Sequence, residues 1–151
     1  MGLDKNFPRE PIQIIDPSLR WYPGSNIGEK GRDKLLPPLV NKIRKNVHDW
    51  REAGYPNISE VTQSLLNYWF KTEHPNGFQY YFAQRESVES IIYLYEHEKI
   101  RSPSELLKYD SSGVLVESLF EETWLRLVVK QATGTGKTKV LSLLMAWCFF
   151  S

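Results

Sequence analysis

From residue 39 onward, apolar side chains return with a helical period. Leu39, Ile43, Val47 and Trp50 stand at i, i+4, i+8 and i+11, and Lys42, Arg44, Lys45, Asp49 and Arg51 fill the other faces. This spacing predicts a helix over 38–52, opened by Pro37-Pro38 and ended by Gly54-Tyr-Pro56. A second helix is expected over 59–71, with Val61, Leu65 and Trp69 as its buried stripe, closing before the turn signal His74-Pro-Asn-Gly77. The two form a helical hairpin. Alternating charges along such helices ordinarily mark a solvated face, and that reading is preferred to contact with a nucleic-acid backbone. A third helix is expected over 80–98, carried by Val88, Ile91, Ile92 and Tyr95. A short fourth one starts with Ser102 as N-cap, Pro103 in the first turn and Glu105 three residues after the cap.

The period changes near the end of the chain. Leu125, Leu127, Val128 and Val129 make a short β-prone run of the kind covered on both faces, and Val140 to Phe150 reads as a buried helix. Between them stands Gln131-Ala-Thr-Gly-Thr-Gly-Lys-Thr138. Gly134 and Gly136 tolerate the positive φ angles that bend a backbone into a cradle of inward N–H groups, with Thr133 and Thr135 completing the loop. Lys137 supplies a mobile positive charge for the outer phosphates, and Thr138 a hydroxyl for Mg²⁺. A following helix turns its N-terminal amides and partial positive charge toward the same anion. The general phosphate-loop form would place glycine at position 131, where this chain has Gln131. The bland alternative is a chance Gly-Lys-Thr at an ordinary helix start.

At 151 residues, with 41% hydrophobic and 13% aromatic side chains, the chain can bury a core. The 19 basic and 18 acidic residues leave a net charge of +1, so no global basic field points to nucleic acid. Cys148 is the one cysteine, and His48, His74 and His97 lack metal-ligand spacing. No charged-then-apolar leader opens the chain, and the apolar run 140–150 is about half of the roughly 20 residues that cross a bilayer. A soluble protein of the reducing cytoplasm, without a membrane partner, is expected. Residues 1–35, with Pro23, Gly24, Gly28 and Gly31 close together, read as an irregular arm. Its Ile12, Ile14, Ile15, Trp21 and Tyr22 are apolar enough to lie across another surface of the protein.

Three stretches, "VNKIRKNVHDWREAGYPNISEVTQSLLNYWF", "FQYYFAQRESVESIIYLYE" and "LRLVVKQATGTGKTKVLSLLMAWCFF", together resemble the amino-terminal part of superfamily 2 DEAD/DEAH-box helicases related to the Res subunit of type III restriction enzymes. The resemblance covers most of residues 36–151. It implies an α/β protein: an arm over 1–35, a helical hairpin accessory region over 36–77, and the first helix, strand, phosphate loop and helix of a truncated RecA-like domain over 78–151. Members of this group often carry a non-glycine residue where Gln131 stands. The resemblance also places an adenine-reading glutamine upstream of the loop, here Gln84, whose carboxamide pairs a donor with an acceptor as adenine N7 and N6 require. Phe82 or Tyr81 would supply the neighbour against the base. The competing view of Gln84 is an exposed helix residue.

What the resemblance implies is an ATP- and Mg²⁺-dependent helicase or translocase acting on double-stranded DNA, with a methyltransferase or nuclease subunit as a further partner. Lys137 would be its catalytic phosphate ligand. An Asp-Glu-x-His/Asp segment does not follow residue 138. The expectation is therefore an N-terminal piece of a longer helicase that does not turn over ATP alone. Two other readings compete: a non-catalytic helical interaction module with a vestigial loop, and a small-molecule kinase, which would ordinarily place the loop near the N-terminus.

Overall fold

The computed structural model describes residues 39–110, 113, 115–117 and 124–151, so the expected arm over 1–35 lies outside the described residues. Helix α1 (Val40–Glu52) buries Val47 and Trp50, with Leu39 and Ile43 packed at the edge of the same stripe, as the four-residue spacing predicts. It ends in a tight left-handed stop at Gly54 (φ +83°), followed by Tyr55 at φ +60°. Positive φ in an aromatic residue is strained. Tyr55 holds it because its side chain is completely buried, edge-on to the Trp50 ring at 4.8 Å and bonded through its hydroxyl to Glu89 Oε1 at 2.5 Å.

Helix α2 (Glu60–Phe70) is capped by Ser59, whose Oγ accepts from the Thr62 N–H at 3.1 Å. Its buried face runs through Thr62, Leu66 and Trp69: Trp69 is interior as expected, but Thr62 and Leu66 replace the expected Val61 and Leu65, with Val61 45% exposed and Leu65 at the edge of the core. A polar bond sets this phase. Thr62 Oγ1 donates to Glu96 Oε2 (2.7 Å) and accepts from Trp147 Nε1 (3.1 Å), so a threonine takes the interior place that hydropathy alone gives to valine.

Helix α3 (Phe82–Ile92) runs on into a π turn, Tyr93–His97, followed by a 3-10 helix, Pro103–Tyr109. Val88 and Ile92 are fully buried as expected, but Tyr93 and Leu94 are interior whereas the expected Tyr95 is 45% exposed. The helix is covered on more than one side, so a single stripe describes it incompletely: Tyr93 packs on Trp50 at 5.4 Å and stacks on His97 at 4.9 Å. Ser102 stands at the N-cap position with Pro103 after it, as expected, but its side chain makes no cap bond. Its hydroxyl donates to Glu105 Oε1 (2.9 Å), while Glu105 Oε2 accepts the Arg101 N–H (3.2 Å).

The described part is mainly helical, and among the described residues there is no strand. The expected strand at 125–129 has no regular secondary structure and no ladder. Leu125 and Leu127 pack on the core, but Val128 is 78% exposed, so the run is covered on one side and not on both. No described segment offers it the hydrogen-bond partners that define a strand. Helix α4 (Lys137–Phe150) follows, packed on α3 and α2 through Val140, Leu143 and Trp147. The run expected as a buried helix is buried on one face only: its far side leaves Leu141, Met145, Phe149 and Phe150 exposed, and Leu144 is half-buried against the core.

Candidate phosphate-binding site

The site is built where α4 begins. Gly134 and Gly136 lie at φ +84° and +79°, the left-handed geometry that the loop sequence predicts. The first helical bonds of α4 run from Lys139 N and Val140 N to Gly136 O (2.9 and 3.4 Å), so the Gly136, Lys137 and Thr138 amides precede any intrahelical partner. Thr133, Gly134, Lys137 and Thr138 are exposed, and Thr135 and Gly136 are half-buried. Thr135 tightens the turn by donating its hydroxyl to Ala132 O at 2.7 Å. Lys137 Nζ reaches back across the loop and donates to Gln131 O and Ala132 O, both at 3.2 Å.

Helix α3 forms the back wall. Gln84 and Lys137 are far apart in sequence, yet the Gln84 side chain lies against the loop. It is 5% exposed, and its Nε2 donates to Thr135 O (3.2 Å) and Gly136 O (3.3 Å). Its Oε1 accepts from the Tyr81 N–H at 3.0 Å. The carboxamide expected to face a base is thus engaged by protein groups at both ends, and it is a buried residue rather than the exposed one of the competing view. Tyr81 is half-exposed at the N-cap of α3, and Phe82 is half-buried in its first turn. Gly136 is held at the closest point of approach: a Cβ added there would stand 2.2 Å from Gln84 Nε2.

Two features of this wall escape a sequence reading. Gln131, met only as a departure from the glycine form, donates from Nε2 to Ala83 O (3.0 Å) and Ser87 Oγ (2.7 Å). The other is an internal charge cluster that orients α3. Arg51 and Glu89 are 3% and 0% exposed and paired, with Arg51 Nε at 2.9 Å from Glu89 Oε2. Arg85 Nε (2.9 Å) and the Tyr55 hydroxyl also donate to Glu89. Burial, and then the Glu89 charge, push the Tyr55 hydroxyl up from its ordinary value, which keeps it a donor. Arg44 pairs with Glu86 through Nε at 2.6 Å and a second bond from Nη2. Arg44 and Arg51, expected on solvated faces of α1, therefore fasten α1 to α3. A carboxylate at i, i+3 on one helix facing arginines seven residues apart on another is visible only once the helices are paired.

Comparison with family models, with curated proteins and with solved structures returns no match to this chain.

Proposed function

We propose that this chain is the nucleotide-binding part of an ATP-dependent helicase or translocase, its loop 131–138 holding the β- and γ-phosphates. The single observation that carries this reading is the left-handed Gly134 and Gly136 pair leading directly into the free N-terminal amides of α4, with Lys137 poised over the same turn. The fit is chemical as well as geometric. The cradle is exposed, carries donors and one cation, and has no room at Gly136 for a side chain.

Lys137 would exchange the Gln131 and Ala132 carbonyls for phosphate oxygens, which as anions are the stronger acceptors. Thr138 would hold Mg²⁺ through its hydroxyl. When bound, the ion neutralises charge on the phosphates. Among the described residues there is no group of three His, Cys, Asp or Glu side chains placed to hold a metal. Adenine recognition by Gln84 requires its carboxamide to trade the Tyr81, Thr135 and Gly136 backbone groups for the base edge, with Tyr81 or Phe82 against the ring. Double-stranded DNA is the proposed nucleic-acid partner, and a methyltransferase or nuclease subunit a further one; cytoplasmic location belongs to the same proposal. No described helix is long and apolar enough to cross a membrane.

A second reading, a helical interaction module whose loop is unused, is favoured by the exposed Leu141, Met145, Phe149 and Phe150 on α4. One titration separates the two. The chain should bind Mg-ATP, and Lys137→Ala should weaken binding by about tenfold or more, since a charge-assisted contact contributes about 1.5–3 kcal/mol. Equal binding by both proteins, or none by either, would reject the nucleotide reading.

A further inference from the structure

The phosphate loop is tied at both ends to a single turn of α3. At its far end Gln84, from that turn, holds the Thr135 and Gly136 carbonyls. At its near end Gln131 reaches the other way. Its two Nε2 hydrogens are both used, one on Ala83 O and one on Ser87 Oγ, while the Ser87 hydroxyl donates to Ala83 O at 2.6 Å. These three groups form a closed triangle in which every donor has an acceptor. The Gln131 backbone carbonyl is also one of the two that receive Lys137 Nζ.

We infer that Gln131 is a positioning residue: with Ser87 it locks the first residue of the loop to α3 and so fixes where Lys137 and the loop amides stand. The inference rests on the phosphate-binding reading of that loop. A carboxamide meets this geometry with both hydrogens. Glutamate has no donor for Ala83 O, methionine has the length but no hydrogens, and asparagine is one methylene short. Gln131 Oε1 is buried without a partner, which disfavours this placement, so the two Nε2 bonds must outweigh it. The side chain at position 131 therefore does by hydrogen bonding what a glycine there could not, and α3 and the loop are held as one body.

The test uses the whole chain with Gln131→Met, Ser87→Ala and the double substitution. Two quantities are read: amide hydrogen exchange resolved along the chain, and affinity for Mg-ATP and for inorganic tripolyphosphate. Gln131→Met should speed exchange of the amides in 132–136 several-fold while those of α1 and α2 keep wild-type rates. It should weaken both anions about tenfold, equivalent to about 1.4 kcal/mol. Ser87→Ala should act in the same direction and add little to Gln131→Met, because both remove the same bond. Wild-type loop exchange in Gln131→Met, exchange raised equally throughout the chain, or effects of the two substitutions that simply add would each overturn the inference. If Lys137→Ala leaves tripolyphosphate binding unchanged, the phosphate reading falls instead. The exchange pattern still decides the clamp, since it requires no ligand. Should Gln131→Met fail to fold, Ser87→Ala carries both measurements.

Discussion

Substituting Gly136 by alanine should expose how closely the loop and α3 are fitted. Two costs arise. The residue sits at φ +79°, where an L side chain loses about 1–2 kcal/mol. The added Cβ would also stand 2.2 Å from Gln84 Nε2 and 3.4 Å from Cδ, so the Gln84 amide must swing away. That movement breaks its bonds to Thr135 O and Gly136 O, each about 0.5–1.5 kcal/mol in net terms. The sum is about 2–5 kcal/mol. A cycle with Gln84→Ala separates the two costs, because removing the carboxamide leaves the Cβ nothing to strike. In that background Gly136→Ala should cost only the backbone part, about 1–2 kcal/mol, and the difference between backgrounds is the coupling. Urea unfolding followed by circular dichroism measures all four proteins, and an unchanged m-value shows that the unfolded state is the same in each. Equal cost of Gly136→Ala with and without the Gln84 side chain would refute the fit.

The Arg51–Glu89 pair supplies a second expectation. Glu89→Ala should destabilise by about 3–5 kcal/mol because it removes the buried acceptor shared by Arg51, Arg85 and the Tyr55 hydroxyl, and Arg51→Met with Glu89→Leu should recover only part of that loss, since Arg85 and Tyr55 still lose their acceptor; thermal unfolding of Glu89→Ala and of the double variant tests it. Glu96 gives a pH-dependent one. Burial alone would raise its pKa, but the Ser59 N–H, the Thr62 hydroxyl and Trp147 outweigh that and hold it below the usual 4.5. A depressed carboxylate contributes stability that is complete above its unfolded pKa and disappears as pH falls through the folded one. The stability difference between wild type and Glu96→Gln, measured by urea unfolding, should therefore be constant near neutrality and shrink as pH falls below 4.5. A difference that grows on acidification would contradict the assigned contacts.

Local rules were sufficient where one residue's chemistry decides the backbone. Apolar spacing marks α1 and α2 to within about two residues at each end, Ser59 shows itself as a cap, and the Gly134 and Gly136 pair announces left-handed backbone before a helix. These features depend on steric limits and on groups a few residues apart, all of which the order of residues carries. Gln84 reaches the loop, but its partners there are backbone groups.

What tertiary structure decided was which polar groups go inside. Hydropathy put Val61 in the interior of α2 and Arg51 in solvent; the fold buries Thr62 and Arg51 instead, because Glu96, Trp147 and Glu89 wait there with the complementary bonds. A buried polar group is tolerated only when a distant residue satisfies it, and sequence spacing does not record that distance. The same holds for the β-prone run at 125–129. Its residues favour extension, but a strand also requires a neighbour's N–H and C=O groups, and the described residues provide none. Gln131 is the sharpest instance: a departure from a motif when read along the chain, it becomes the tie between loop and helix once Ala83 and Ser87 are folded against it.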